Sequence, residues 1–504
     1  MQNSYTLFDN GHFYLGPNNW AEALVVDAHG NIDEVIKNKK SFPSATSPIF
    51  QKKDFQNRWI LPGFEDAHTH PTSRARTFQE LDFRGKNISW EDAKKIIQEK
   101  TLTTPKGKWI VAHGWNDVLW QNLSKNTLDE ISQEHGIFLM NISYHGGLIN
   151  SFGESLLLDQ KISLSTRDGF LREHEFEEAW IFTSPTTHDY LTLLPKSQER
   201  LLSLGIIAAH DLHITTLHQL EAYRELDSMN HFQPFTALYI NPRLLSWPKK
   251  ISEHLNTSSK HSRLMGLKIF IDGAIGVHSA AMHENYHDKN SRGILRVSFE
   301  NCKKYIHAAA DLGLPQVAMH CIGDRGIDFA VEIFEKLQKE FQSVILSWRF
   351  EHCEIPGDEA IKKIASLGGK ICMQPNFLWD AQNYKDRLGN RIEKINPFRK
   401  ILDAKIPLAF GSDDMPLGPI AGISWTEKKI QNPLLQLTRH EAFSAYTHNG
   451  AKFLGMSDHR GKIANGYEAN LVVFKKNPFE VPEDEFDQLS VLETWIRGKR
   501  VYFL

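Results

Sequence analysis

The chain has 504 residues, 41% of them hydrophobic and 24% charged, with a formal net charge of −3. That length is expected to build one large core and a second, smaller unit. The near-neutral charge, with no block of Lys or Arg, argues against a nucleic-acid surface. No apolar stretch approaches the ~18 residues that mark a membrane span.

A small-molecule substrate is the expected partner, with neither nucleic acid nor membrane. The four cysteines, Cys302, Cys321, Cys353 and Cys372, include no Cys-x-x-Cys pair, so reduced, buried thiols and a cytoplasmic compartment are expected. The start, Met1-Gln2-Asn3-Ser4-Tyr5, lacks the basic end and apolar run of a signal peptide. The 24 histidines permit a metal site without demonstrating one.

Residues 1 to 60 read as short strands and turns. Tyr5 to Phe8 precedes a turn signal at Asp9-Asn10-Gly11, then Phe13 to Leu15 resumes. Ala23 to Asp27 leads into a turn at His29-Gly30-Asn31, and Ile32 to Ile36 follows. The far end behaves alike, with strands over Gly466 to Phe474, Val491 to Ile496 and Lys499 to Phe503. Neither end alone has enough strands for independent stability. Residues 1–60 and 455–504 are therefore expected to combine into one small β-sandwich.

The middle, 61–454, alternates apolar strands with amphipathic helices, the pattern of parallel βαβ units. Strands are predicted within Leu61 to Pro71, then over Gly205 to Asp211, Phe235 to Ile240, Gly266 to Asp272, Gln316 to His320, Ser347 to His352, Lys370 to Gln374 and Leu408 to Asp413. Helices are predicted over Phe299 to Leu312, Asp328 to Phe341 and Asp358 to Leu367. Eight strand-helix repeats define an α/β fold, a (β/α)8 TIM-type barrel, whose chemistry sits at the C-terminal strand ends. About 135 residues separate the first strand from the second, against the usual handful. The insertion, 72–203, carries its own strands (Trp109 to Trp115, Ile137 to Tyr144) and is expected to fold as a subdomain over the barrel mouth.

Polar residues able to bind metal recur at these strand ends. His68 and His70, two apart on an extended segment, point to one face. Lys268 lies in the fourth strand, His320 and His352 end the fifth and sixth, and Asp413 ends the eighth. A lone lysine amid Leu267, Ile269 and Phe270 is costly to bury unless it has a function. Imidazoles with a carboxylate suit Zn²⁺ and related divalent ions. Such an ion makes water reactive near neutral pH, and Asp413 is placed to move its proton. Chemistry of this kind hydrolyses a C–N or C–O bond.

The motifs Pro62-Gly63-Phe64-Glu65-Asp66-Ala67-His68-Thr69-His70, Lys268-Ile269-Phe270-Ile271-Asp272-Gly273, His320-Cys321-Ile322-Gly323-Asp324-Arg325, Arg349-Phe350-Glu351-His352 and Gly411-Ser412-Asp413 resemble the amidohydrolase superfamily. With the tail Gly461 to Gly466 they are similar to its branch of N-substituted formamide deformylase and YtcJ-like proteins, amidohydrolase family 3. The resemblance implies that His68, His70 and Asp413 hold one metal and His320 and His352 a second. Lys268, carboxylated on its amine, would bridge the two. Without that modification, a single ion on His68, His70, Asp413 and one further histidine is implied. It also implies a non-peptide C–N hydrolase with Asp413 as general base and acid, and a possible homodimer.

Where the family often has alanine, this chain has Cys321 and Cys353, read as small core residues. Asn470 stands where the family usually has aspartate. Asp66 shares strand parity with His68 and His70 and is a candidate to orient a ligand; a strand-end cap is its other reading. Trp115, His145, Asp324, Arg325 and Asn376 are substrate-binding candidates, with plain packing the alternative for Trp115 and an Asp324–Arg325 link the alternative for that pair. The competing functions are a single-metal deaminase of a heterocycle and a non-catalytic binding protein on the same barrel. Deaminases of this superfamily commonly carry a glutamate three residues after the fifth-strand histidine, where this chain has Gly323.

Overall fold

The computed structural model describes residues 5–38, 49–116, 119–142, 144–165, 167–229, 234–255, 260–345, 347–427 and 436–504. Met1 to Ser4, considered above for a leader, lie outside them. Eight parallel strands form the centre: β1 (Phe64–Thr69), β2 (Ile206–Ile214), β3 (Phe235–Ile240), β4 (Ser262–Phe270), β5 (Gln316–Cys321), β6 (Ser347–His352), β7 (Lys370–Met373) and β8 (Leu408–Phe410). They pair in chain order from β1 to β8. Strands β1, β5 and β6 are buried at every residue, as strands covered on both faces must be.

The barrel closes where the chain beyond β8 meets β1, the Asp413 N–H donating to the His68 carbonyl at 2.8 Å. The helices lie outside. Asp324–Phe341 buries Ile327, Ala330, Val331, Phe334, Leu337 and Phe341 on one face, at the spacing of an amphipathic helix. It begins a turn earlier than Asp328. Among the described residues, no helix is long and apolar enough to cross a membrane.

Both termini share one seven-stranded sheet, with Tyr5–Gly16 beside the long strand Ile49–Pro62, and Leu471–Phe474 on the other side of that strand. The sheet folds over on itself into a sandwich. Phe8 and Trp495 lie three strand spacings apart in its order, about 14 Å if flat, yet their rings are 5.2 Å apart.

Two local readings are corrected. Asp9-Asn10-Gly11 makes no turn: Asn10 adopts φ 57°, and the register shifts there while one strand continues through. The left-handed residue produces a bulge, because both halves keep the same neighbours. The strand Ile49–Pro62 was not anticipated; its Gln51-Lys52-Lys53-Asp54 run hides its alternation. It ends at Pro62, and the one residue before β1 is Gly63, whose added Cβ would lie 2.6 Å from Ile207.

The insertion carries a five-stranded sheet of Leu81–Asp82, Trp109–Trp115, Gly136–Asn141, Gly146–Ile149 and Phe170–Arg172. Apolar clusters cover both its faces. Tyr144, His145, Phe176 and Trp180 from this unit line the cavity above the barrel strand ends.

Candidate metal and active site

Parity explains two of the ligand candidates and backbone strain explains two more. Alternation on β1 turns Asp66 and His68 inward, and His70 follows just past the strand end. On β6 the inward positions are Arg349 and Glu351, so His352 should point out of the barrel. It does not, because His352 and Cys353 have φ of 70° and 50°. This left-handed pair breaks the strand and turns the imidazole to the mouth. Asp413 and Asp414, at 49° and 60°, do the same beyond β8. Strain of this kind is held only where surrounding structure over-determines it.

The six candidates meet in one cavity. His70 Nε2 lies 2.7 Å from Asp413 Oδ1 and His68 Nε2 3.8 Å from it, while His352 Nδ1 lies 3.9 Å from Asp413 Oδ2. The His68–His352 and His352–His320 ring centres are 4.7 and 4.5 Å apart. Lys268 is not level with His320: its register partner is Ala318, and Phe270 pairs with His320. The lysine starts two residues deeper and reaches up, its Nζ 5.1 Å from the Phe270 ring centre. Burial pushes its pKa down to about 8.

Burial also holds His68, His320 and His352 well below the usual histidine value, with the Lys268 charge acting in the same direction at each. At His70 burial opposes protonation, but Asp413 and Asp211 outweigh it and the pKa rises.

These residues fit a divalent metal. One donor atom each from His68, His352 and Asp413 lie within 4.8 Å of one another. His352 Nδ1 is buried with no hydrogen-bond partner, and a neutral imidazole presents the lone pair a metal needs. A second grouping, His68, Glu351 and Cys372, has its carboxylate engaged by Arg349, whose Nε donates to Glu351 Oε1 at 2.8 Å.

The residues that hold this cluster were largely unread in the sequence. Glu351 Oε2 lies 2.7 Å from His68 Nδ1, fixing that ring from behind. Arg349, fully buried, also donates to the Ala67 carbonyl at 2.7 Å and to the Tyr239 hydroxyl at 2.6 Å. Asp66 contacts no ligand ring. Its carboxylate accepts from the Ser412 N–H at 3.0 Å and the Ser412 hydroxyl at 2.5 Å, so it pins the loop that carries Asp413. Burial pushes Asp66 up to about 7, against those hydrogen bonds. His213, from the end of β2, lines the cavity and was missed because the strand was read as ending at Asp211.

Of the substrate-binding candidates, His145 lines the cavity, its Nδ1 3.0 Å from Glu173 Oε2. Trp115 packs instead in an insertion core, its indole N–H donating to the Trp120 carbonyl at 3.3 Å. Asn376 is spent on structure: Nδ2 donates to the Pro416 carbonyl at 2.6 Å and Oδ1 accepts from Tyr446 at 2.6 Å. Asp324 accepts from the backbone N–H of His283 and Arg325 at 2.9 and 2.8 Å, and the Arg325 guanidinium faces the Arg292 and Gly293 carbonyls. Both belong to a loop clasp outside the cavity. A glutamate cannot occupy position 323, where an added Cβ would lie 2.1 Å from the Ala281 carbonyl oxygen. Cys321 and Cys353 are fully buried.

Fold and site define a (β/α)8 barrel with donor groups suited to a divalent metal at the C-terminal ends of its strands. The chain belongs to the amidohydrolase family, whose profile matches residues 53–502. The putative amidohydrolase YtcJ of Bacillus subtilis is 23% identical over 99% of this chain and 98% of its own. N-substituted formamide deformylase of Arthrobacter pascens is 24% identical over 95% of each chain. Both matches support the YtcJ-like branch. An uncharacterized metal-dependent hydrolase from Pyrococcus horikoshii shares the fold, with a TM-score of 0.78 over 95% of this chain and 99% of its own at 22% identity.

Proposed function

We propose that this protein hydrolyses a non-peptide C–N bond in a small amide, formamide or cyclic amide. One or two divalent ions, Zn²⁺ foremost, would be held by His68, His70, His320, His352, Asp413 and a carboxylated Lys268. The observation that carries the reading is the convergence of the His68, His352 and Asp413 donors within 4.8 Å, with His70, His320 and Lys268 lining the same cavity. Carboxylation would turn a buried amine into an anionic oxygen ligand, which removes the cost of a cation beside metal ions.

A divalent ion bound there supplies activation of the attacking water and polarisation of the scissile carbonyl. The chain's residues do the remainder. Asp413, beside His70 Nε2, accepts the proton of the attacking water and returns it to the departing nitrogen. Glu351 keeps His68 oriented, and Asp66 keeps the Asp413 loop in register with β1. The donor cluster stands between two chambers. One is roofed by the insertion, with Trp180 and His213 in its wall; the other is lined by Ile275, Ile322, Phe377 and Tyr384. An amide lying over the cluster places its two substituents in separate chambers. The relative named as an N-substituted formamide deformylase makes such formamides the first compounds to test.

The test is metal analysis of protein purified without chelators, followed by a hydrolysis screen over N-formyl amines, N-acyl amino acids and cyclic imides. Asp413→Asn is expected to retain metal and lose turnover by about 100-fold or more. Undiminished turnover in that variant, or turnover by metal-free protein, overturns the reading.

A further inference from the structure

The cavity wall contains an imidazole that the donor cluster does not use. His213 stands at the C-terminal end of β2, the end from which barrel chemistry is drawn, and lines the same cavity as the ligand candidates. Its ring is packed on three sides: by His70 with centres 5.9 Å apart, Phe270 at 5.8 Å and Trp180 at 6.5 Å. Among the described residues its ring nitrogens have no hydrogen-bond partner. Three of the other cavity imidazoles are engaged. His68 is paired with Glu351, His145 with Glu173, and His320 with the Gly273 carbonyl at 3.1 Å. Beside His213, the Trp180 indole N–H is also buried and unpartnered. A ring locked in place by its neighbours, with its polar edge unspent, costs little further entropy when a ligand takes its hydrogen bond.

We propose that His213 is a substrate-binding residue whose imidazole donates a hydrogen bond to the carbonyl oxygen of the amide lying over the donor cluster. This rests on the amide-hydrolase reading above. That oxygen is the one acceptor every substrate of the class carries next to the reacting carbon, and negative charge builds on it as water adds. A donor already aimed at that position stabilises the charge without reorganising. His213 lines the cavity wall beside His70, Phe270 and Trp180, and its part is played toward the substrate.

The test uses Zn²⁺-loaded protein, N-phenylformamide together with the amide panel for turnover, and formate, which carries acyl oxygens, as a binding probe in calorimetry. His213→Leu is expected to keep zinc content and melting temperature, to lose kcat by about 100-fold or more, and to bind formate roughly tenfold more weakly. His213→Asn, which retains a donor, recovers part of both. If the wild type hydrolyses an amide or binds formate and His213→Leu matches it, the hydrolase reading stands and the role of His213 is overturned. Loss of zinc in His213→Leu overturns it as well, in favour of a ligand role. If the wild type neither hydrolyses any amide of the panel nor binds formate, the hydrolase reading fails and this assignment fails with it.

Discussion

Glu351 shares one carboxylate between a fully buried guanidinium and a buried imidazole: Arg349 donates to both oxygens, and His68 meets Oε2. A buried charge left without its partner is far more costly than the pair is beneficial. Glu351→Gln is therefore expected to destabilise the fold by about 3 kcal/mol, read by denaturant unfolding, and to weaken metal binding by roughly 10- to 100-fold, read by titration with a competing chelator. Unchanged metal affinity would remove Glu351 from its orienting role. The ligand candidates were legible because each is a titratable side chain within or at the end of an apolar run. Arg349 and Glu351 lie in the Arg349-Phe350-Glu351-His352 motif, yet their roles depend on partners 282 and 283 positions away, which no local pattern encodes. Trp115 and Asn376 went the other way: residue type marked them as recognition groups, but their polar atoms are consumed by backbone carbonyls and Tyr446.

At the level of elements, the eight barrel strands were legible since both faces are covered and the apolar runs are nearly unbroken. Ends were less so, because the chain leaves β6 and β8 through left-handed residues that are not glycine, at His352, Cys353, Asp413 and Asp414. His and Asp enter this region more readily than most residues, but nothing in the local pattern says at which position they do so. The seam between β8 and β1 depends on an absent side chain. A Cβ on Gly411 would sit 2.4 Å from both the backbone nitrogen and the Cβ of His68, atoms that cannot move without opening the barrel at the edge that carries His68 and Asp413. Gly411→Ala is expected to cost about 1–3 kcal/mol and to lower metal content with it. A variant as stable and as metal-replete as the wild type would show that the seam tolerates separation there.

Across the whole molecule, the sandwich and the barrel are joined through charge as well as backbone. Glu65, on β1 but facing outward, is fully buried with neither oxygen hydrogen-bonded. Its nearest cation among the described residues is Arg460, with Nε 3.7 Å from Glu65 Oε1 and 3.3 Å from Glu468 Oε2 on the C-terminal segment of the sandwich. Burial pushes Glu65 up to about 7, with Arg460 pulling the other way and Glu468 adding to the rise. The native state therefore holds this proton more tightly than the unfolded chain, whose carboxyl titrates near 4.5. The sign follows from linkage: the group's contribution is most favourable below about 4.5 and is lost as pH climbs through about 7. Some 2.5 pK units correspond to about 3 kcal/mol. Glu65→Gln keeps the shape, removes the titration, and leaves Arg460 paired with Glu468. It is expected to match the wild type in urea unfolding at pH 4 and to exceed it at pH 8 by up to about 3 kcal/mol. A constant difference between the two pH values would mean that the carboxylate at this junction ionises in the folded chain as easily as in the unfolded one.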